Sequence, residues 1–154
     1  MTLTIPAVGA PAPEFSLHST NGEVVTLAQF KGRASVLLAF FPLAFTSTCT
    51  AEMCAFTEDY SAFADKGVVV LPISVDAVPS LKAFKQQYKM GVELLSDFKR
   101  EASRAYGTLM ESTFFSNRAY FLIDKDGILR WRYVEETPGT KRENAEILAE
   151  IEKL

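Results

Sequence analysis

The stretch Val36-Leu37-Leu38-Ala39-Phe40-Phe41, followed by Pro42-Leu43-Ala44-Phe45-Thr46-Ser47-Thr48-Cys49, decides how this chain folds. The continuous apolar run predicts a central strand that is buried on both faces. Apolar residues then recur at positions 53, 56, 60 and 63, which is the spacing of an amphipathic helix. We therefore expect a buried strand that leads into one helix, over about residues 46–63, which ends before Lys66-Gly67.

Cys49 lies where this strand gives way to the helix. A thiol at such a place faces free backbone N–H groups and the positive end of the helix dipole, which both favour the thiolate. A free cysteine is otherwise most often a small buried apolar side chain. The hydroxyl residues around it, Thr46, Ser47, Thr48 and Thr50, indicate a polar site and favour a reactive cysteine.

The remaining pattern predicts an α/β fold in a single domain over residues 1–154. Asn21-Gly22 is a strong turn signal between two short strands, so the chain is expected to open with a β-hairpin. The further predicted strands are 68–75, 94–95, 118–123 and 128–134, and the further predicted helices are 78–88, 102–106 and 141–153. This is the element order of a thioredoxin fold with an N-terminal β-hairpin and a mixed central sheet flanked by helices.

Composition excludes several functions. The 154 residues carry a net charge of −3 without a basic cluster, which argues against nucleic acid as a partner. Residues 1–12 lack the basic and apolar regions of a secretory signal, and the uncharged run 34–51 is too short and too polar to span a membrane. We expect a cytoplasmic protein whose two cysteines are kept reduced, so that a disulfide would be transient.

Two motifs resemble those of a known family. Pro42, Thr46 and Cys49 reproduce the Pro-x-x-x-Thr-x-x-Cys motif of peroxiredoxins, and Arg118, at the start of Arg118-Ala119-Tyr120-Phe121-Leu122-Ile123-Asp124, matches their second signature. The sequence therefore resembles the alkyl hydroperoxide reductase and thiol-specific antioxidant family over nearly its whole length. Residues 40–46 look most like the alkyl hydroperoxide reductase E group, whereas Cys54 is similar to the bacterioferritin comigratory protein group.

This resemblance implies a thiol-dependent peroxidase that reduces hydrogen peroxide and organic hydroperoxides through Cys49. It also implies that Cys54 resolves the oxidised Cys49 as an intramolecular disulfide, which a thioredoxin-like protein or a small thiol would reduce. A one-cysteine peroxidase resolved by an external thiol is the alternative. The resemblance leaves a homodimer open, and it calls for no cofactor and no metal.

Thiolate formation alone does not make an efficient peroxidase, because a less basic thiolate is also a weaker nucleophile. Charge that develops on the peroxide oxygens has to be stabilised, and Arg118 is the natural donor for this. Thr46 can accept a hydrogen bond from the peroxide, and Pro42 supplies a rigid apolar wall without an N–H group. In the family, a residue at the position of Glu52 helps to hold the active-site arginine.

Other activities fit the sequence less well. A disulfide oxidoreductase would need a Cys-x-x-Cys pair, which is absent from the sequence. A redox-sensing or holdase module without enzymatic activity could use the same cysteine, but it would not need Thr46 and Arg118. His18 is the only histidine and lies in the predicted hairpin, where the residues available do not supply a zinc site or a Ser-His triad.

Overall fold

A computed structural model describes residues 4–154, so the expected domain 1–154 and the segment 1–12 begin three residues before the described part. In chain order the strands are β1 (Ser16–Ser19), β2 (Val24–Thr26), β3 (Ser35–Phe40), β4 (Val68–Ser74), β5 (Leu95–Ser96), β6 (Leu109–Met110), β7 (Phe115–Ser116), β8 (Ala119–Ile123) and β9 (Leu129–Val134). The helices are α1 (Ser47–Glu58), α2 (Tyr60–Asp65), α3 (Val78–Tyr88), α4 (Glu101–Ala105) and α5 (Asn144–Ile151), with a 3-10 turn at Ala28–Phe30.

The predicted α/β class with a mixed central sheet is confirmed. Seven strands form this sheet in the spatial order β2-β1-β5-β4-β3-β8-β9. The strands β3, β4 and β5 run parallel to one another, and the strands at both sides pair with them antiparallel. At the hairpin between β1 and β2, Gly22 has a φ of +87°, a conformation that glycine adopts without steric cost.

The central strand β3 explains why its sequence is apolar throughout. All of its residues are buried, and successive side chains point to opposite faces of the sheet. Leu37 and Ala39 pack in the core beneath α1, α2, α3 and α5. Val36, Leu38 and Phe40 pack in the second core, beneath the N-terminal hairpin and α4.

The single helix predicted after β3 is wrong, because the structure has two helices, α1 and α2, separated by Asp59. Asn144 covers the break, since its Nδ2 donates to the Ala55 carbonyl at 3.0 Å and to Asp59 Oδ2 at 2.9 Å. The rings of Phe56 in α1 and Phe63 in α2 lie 5.9 Å apart in the core. Periodicity could not show this break, because both helices present apolar residues to the same core.

The C-terminal helix also differs from its prediction, because α5 begins at Asn144 and not at residue 141. The preceding residues make other contacts: the Arg142 N–H donates to the Tyr120 hydroxyl at 3.0 Å, and its guanidinium contacts Glu135 at 2.9 Å. The residues predicted to face inward do pack against the core: Ile147, Leu148 and Ile151.

The sequence did not reveal the small ribbon of β6 and β7, in which each strand has only two residues. Phe115, expected in a loop, lies in β7, and Phe114 precedes it with a φ of +62°. Strands this short carry no readable alternation. The other predicted elements are present with ends shifted by at most two residues.

The topology brings two distant parts of the chain together at one edge of the sheet. Because β3 and β8 are antiparallel, the carboxyl end of β3 meets the amino end of β8, with Phe40 opposite Ala119. The segment after β3 and the residue before β8 are therefore neighbours. Within residues 4–154, no helix is long and apolar enough to cross a membrane.

Candidate active site

Cys49 and Arg118 meet at this edge. Cys49 is the third residue of α1, and Arg118 comes directly before β8. Both side chains are buried, with Cys49 at 0% and Arg118 at 1% exposure. The Arg118 Nη2 atom lies 3.0 Å from the Cys49 sulfur. A guanidinium at this distance stabilises a thiolate by charge and by a hydrogen bond.

The guanidinium of Arg118 is held on several sides. Its Nη1 donates to Glu52 Oε1 at 2.8 Å, which forms a buried ion pair. Its Nε and Nη2 donate to the Pro138 carbonyl at 3.2 Å and 3.0 Å. Its backbone N–H donates to Asn117 Oδ1 at 2.8 Å. These contacts fix the plane of the guanidinium beside the sulfur.

Glu52 lies one helical turn after Cys49 and is 2% exposed. Its second oxygen, Oε2, accepts a hydrogen bond from the Tyr120 hydroxyl. Both carboxylate oxygens therefore have a donor, Arg118 on one side and Tyr120 on the other. A buried carboxylate needs such partners, because an unpaired buried charge is strongly unfavourable.

Burial and neighbouring charges shift the pKa values of these groups. Burial raises the pKa of Glu52 above its usual range, although Arg118 and Tyr120 oppose the rise. Burial acts to lower the pKa of Arg118, but the charges of Glu52 and Cys49 outweigh it and raise this pKa. Burial and Glu52 raise the pKa of Tyr120, so its hydroxyl keeps its proton. Arg118 therefore stays cationic, and Tyr120 stays a donor.

Thr46 occupies the N-cap position of α1, but its side chain makes no capping hydrogen bond. Its hydroxyl donates to the Leu43 carbonyl at 2.9 Å, and its own carbonyl accepts the Thr50 N–H at 2.9 Å. The proton of the Thr46 hydroxyl is thus donated to Leu43, and the lone pairs of the hydroxyl oxygen can accept a hydrogen bond. The N–H of Cys49 lies in the first turn, where a helix offers no backbone acceptor.

Polar side chains beyond the sulfur hold the segment between β3 and α1. Asp76, in the loop after β4, accepts the Ala44 N–H at 2.8 Å and the Ser74 hydroxyl at 2.7 Å. Thr48 donates from α1 to the Gly139 carbonyl at 3.2 Å. The segment is therefore tied both to the neighbouring parallel strand and to the chain after β9.

The structure brings three of the six candidate residues into contact: Cys49, Glu52 and Arg118. Pro42 is buried directly after β3, and Thr46 is exposed at the start of α1. Cys54 is half-buried on α1, and both cysteines are free thiols.

Sequence reasoning missed Tyr120, Asp76 and Pro138. Strand alternation could have indicated Tyr120, because it follows Arg118 by two residues and so shares its face of the sheet. Asp76 follows a strand parallel to β3, and the carboxyl ends of parallel strands share one edge. Pro138 contributes only its carbonyl, which every residue has, so no sequence signal pointed to it.

The described residues hold no group of three or more His, Cys, Asp or Glu side chains that could bind a metal ion. The groups that meet at the site are a thiol, a guanidinium, a carboxylate and a hydroxyl. Together they form a buried cation between two potential anions, with a hydroxyl residue at the rim.

Comparison with known proteins identifies the family of this chain. Residues 8–132 match the model of the AhpC/TSA family. Alkyl hydroperoxide reductase E of Mycobacterium tuberculosis is 38% identical over 138 residues, which cover 88% of this chain and 90% of that protein. A Coxiella burnetii protein named as a bcp peroxiredoxin is 38% identical over 128 residues, covering 79% of this chain and 84% of that protein.

Comparison with solved structures points to the same family. The reduced 2-Cys peroxiredoxin of Plasmodium vivax is similar with a TM-score of 0.88 and 33% identity, covering 96% of this chain and 81% of that one. Residues 8–132, which match the family model, contain both strands that border the site and the helix that carries Cys49. Since family model, relatives and fold agree, this chain belongs to the AhpC/TSA family and is a peroxiredoxin, a thiol-dependent peroxidase.

Proposed function

We propose that Cys49 is the peroxidatic cysteine. Its thiolate attacks the terminal oxygen of a hydroperoxide, a sulfur–oxygen bond forms and the O–O bond breaks. Cys49 becomes a sulfenic acid, and the leaving alkoxide or hydroxide takes up a proton to give alcohol or water. The observation that carries this proposal is the 3.0 Å contact between the Cys49 sulfur and the buried guanidinium of Arg118.

In this proposal Arg118 acts on the peroxide as well as on the thiolate. Contacts to Cys49, Glu52 and Pro138 use four of its five N–H groups. Within the described residues, one Nη1 N–H is left to meet a peroxide oxygen. A fixed cationic donor at that place lowers the energy of the charge that develops as the O–O bond breaks.

Three further residues complete the proposed site. Thr46 accepts a hydrogen bond from the peroxide O–H, a role supported by the donation of its own proton to Leu43. The free N–H of Cys49 is a second donor to the peroxide. Pro42, buried and without an N–H group, excludes water from the sulfur. Glu52 holds Arg118 in place, as the buried ion pair between them supports.

We propose that Cys54 resolves the oxidised Cys49. Five residues apart on a helix, the two Cα atoms are separated by about 8.7 Å, beyond the ~7 Å that a disulfide can bridge. The first turns of α1 must therefore open before the bond forms. Opening is supported by the missing side-chain cap, because a Thr cap typically adds ~1 kcal/mol of helix stability. The disulfide forms as the Cys54 thiol displaces water from the sulfenic acid.

The proposal includes a reductant and a compartment. A thioredoxin-like dithiol, or a small thiol in the one-cysteine alternative, would return Cys49 to its reduced form by thiol exchange. A reducing cytoplasm suits an enzyme that must regain a free thiol in each cycle. A homodimer is also proposed, supported by the exposed rings of Phe98 and Phe114, at 61% and 46% exposure.

The intact mass after one equivalent of peroxide tests the proposal. Loss of two hydrogens, with Cys49 and Cys54 joined in the digest, is the expected result. Gain of one oxygen at Cys49 would support the one-cysteine alternative. Oxidation elsewhere, with Cys49 still a thiol, would contradict the assignment.

A further inference from the structure

Tyr120 is a buried group that the proposed reaction does not use. It lies in β8 at 0% exposure, two residues after Arg118. Its hydroxyl has two partners, Glu52 Oε2 and the backbone N–H of Arg142 at 3.0 Å. In the series of contacts that starts at the Cys49 sulfur, Arg118 is therefore first, Glu52 is second and the Tyr120 hydroxyl is third.

The direction of the hydroxyl proton follows from these partners. A backbone N–H can only donate, so the Tyr120 oxygen is the acceptor in its bond with Arg142. The single proton of the hydroxyl is then available to Glu52. Because Arg118 Nη1 donates to Oε1 and Tyr120 donates to Oε2, the carboxylate is fixed by one donor on each oxygen.

We propose that Tyr120 is a positioning residue for peroxide reduction, and that it acts through Glu52 on the guanidinium of Arg118. Without its hydroxyl, Oε2 would lose its donor and the carboxylate could rotate about its terminal bond, which has broad minima. Arg118 would then lose a fixed partner at its Nη1 atom. Small displacements of a reacting or stabilising group cause large losses of rate.

The chain after β9 contributes to the same arrangement. The guanidinium of Arg142 is held by Glu135 at 2.9 Å and 3.2 Å, and Glu135 also accepts from Thr140 at 3.2 Å. This pairing places the Arg142 N–H against Tyr120. The same segment presents the Pro138 carbonyl to Arg118, so one loop supports both ends of the Tyr120–Glu52–Arg118 chain.

Tyr106 provides a matched control. It is also fully buried, and its hydroxyl donates to the Pro13 carbonyl at 2.6 Å. It packs in the core on the opposite face of the sheet from Cys49. Tyr106→Phe and Tyr120→Phe each remove one buried hydroxyl, but only the second removes a donor from Glu52.

The test measures the rate constant of Cys49 oxidation by hydrogen peroxide, at a pH where the thiol is fully ionised. This inference rests on the proposed function, so Arg118→Ala is measured beside the tyrosine variants. We expect Tyr120→Phe to be about tenfold slower than wild type, and Tyr106→Phe to stay within about twofold. In combination with Glu52→Gln, Tyr120→Phe should cause little further loss, because both changes break the same chain.

A second readout follows Arg118 directly. In reduced wild-type protein the Arg118 Nη protons should give resolved NMR signals, which should broaden in Tyr120→Phe and remain sharp in Tyr106→Phe. Tyr120→4-fluorophenylalanine fills the space of the hydroxyl without donating, and replaces Tyr120→Phe if that variant does not fold.

The outcomes are distinct. A Tyr120→Phe rate within twofold of wild type, or a full multiplicative loss with Glu52→Gln, would overturn the inference. If Arg118→Ala also oxidised at the wild-type rate, the role of Arg118 in the proposed function would be wrong.

Discussion

Arg118 and Cys49 are 69 positions apart in the sequence, yet a guanidinium nitrogen of one lies 3.0 Å from the sulfur of the other. The pairing of β3 with β8 produces this contact, because it sets the end of one strand against the start of the other. Neither side chain is exposed, so the charge of Arg118 acts on the sulfur with little screening by solvent.

Replacement of Arg118 should slow oxidation by more than a loss of thiolate explains. At a pH where the thiol of each variant is fully ionised, we expect Arg118→Ala to remain about 10²–10³-fold slower than wild type, since the stabilising donor is gone. Arg118→Lys keeps the charge but loses the planar fork, and it should fall between the two. Stopped-flow fluorescence of Trp131 measures these rates.

Recovery of the wild-type rate by Arg118→Ala at full ionisation would refute a role in the transition state. Folding has to be checked first, because loss of one partner from a buried ion pair typically costs about 3–5 kcal/mol. Circular dichroism and urea unfolding supply this check.

The two cysteines should respond differently to substitution. Cys49→Ser should abolish peroxidase turnover, because a serine hydroxyl is a much weaker nucleophile than a thiolate at neutral pH. Cys54→Ser should leave the first oxidation step nearly unchanged, because only Cys49 contacts Arg118. Peroxide consumption and stopped-flow oxidation separate the two steps. Equal loss of the first step in both variants would show that the assignment of Cys49 is wrong.

The sequence was sufficient for the strands of the main sheet, because apolar runs and turn signals are local features, and the family motifs pointed to Cys49, Glu52 and Arg118. The sequence was insufficient where a contact joins residues that are far apart along the chain. The break at Asp59 depends on Asn144 from another helix, and the donor on the far side of Glu52 is Tyr120 from another strand. Neither pairing can be predicted from the spacing of neighbouring residues in the sequence.

Stability should depend on pH through Glu52. Burial raises the pKa of this carboxyl in the folded protein, whereas in the unfolded chain it is ordinary, at ~4.3. Its contribution to stability is therefore complete below ~4.3 and is lost as the pH rises through the folded-state pKa. Relative to Glu52→Gln, wild type should lose about 1.4 kcal/mol for each pH unit between the two pKa values.

Urea unfolding of both proteins between about pH 4 and 8 measures this difference. Glu58→Gln, an exposed substitution on the same helix, accounts for the general effect of net charge. A constant difference, or a gain of wild-type stability with rising pH, would contradict the prediction.

Formation of the Cys49–Cys54 disulfide should unfold the start of α1. The reduced protein is helical from Ser47 to Glu58, and this helix holds the two Cα atoms about 1.7 Å beyond disulfide range. Because helix ends have low local stability, the first turns are the part that can open. Backbone amides in residues 46–56 should therefore exchange faster with deuterium after peroxide treatment, while α3 exchanges as before.

Cys54→Ser is the matched control, since its Cys49 can form a sulfenic acid but no internal disulfide. If opening follows from the disulfide, peroxide-treated Cys54→Ser should keep the slow exchange of the reduced protein over residues 46–56. Faster exchange in this variant as well would assign the opening to the sulfenic acid itself. Wild-type protein that stays protected there and accumulates a sulfenic acid at Cys49 would rule out the internal disulfide and favour resolution by an external thiol.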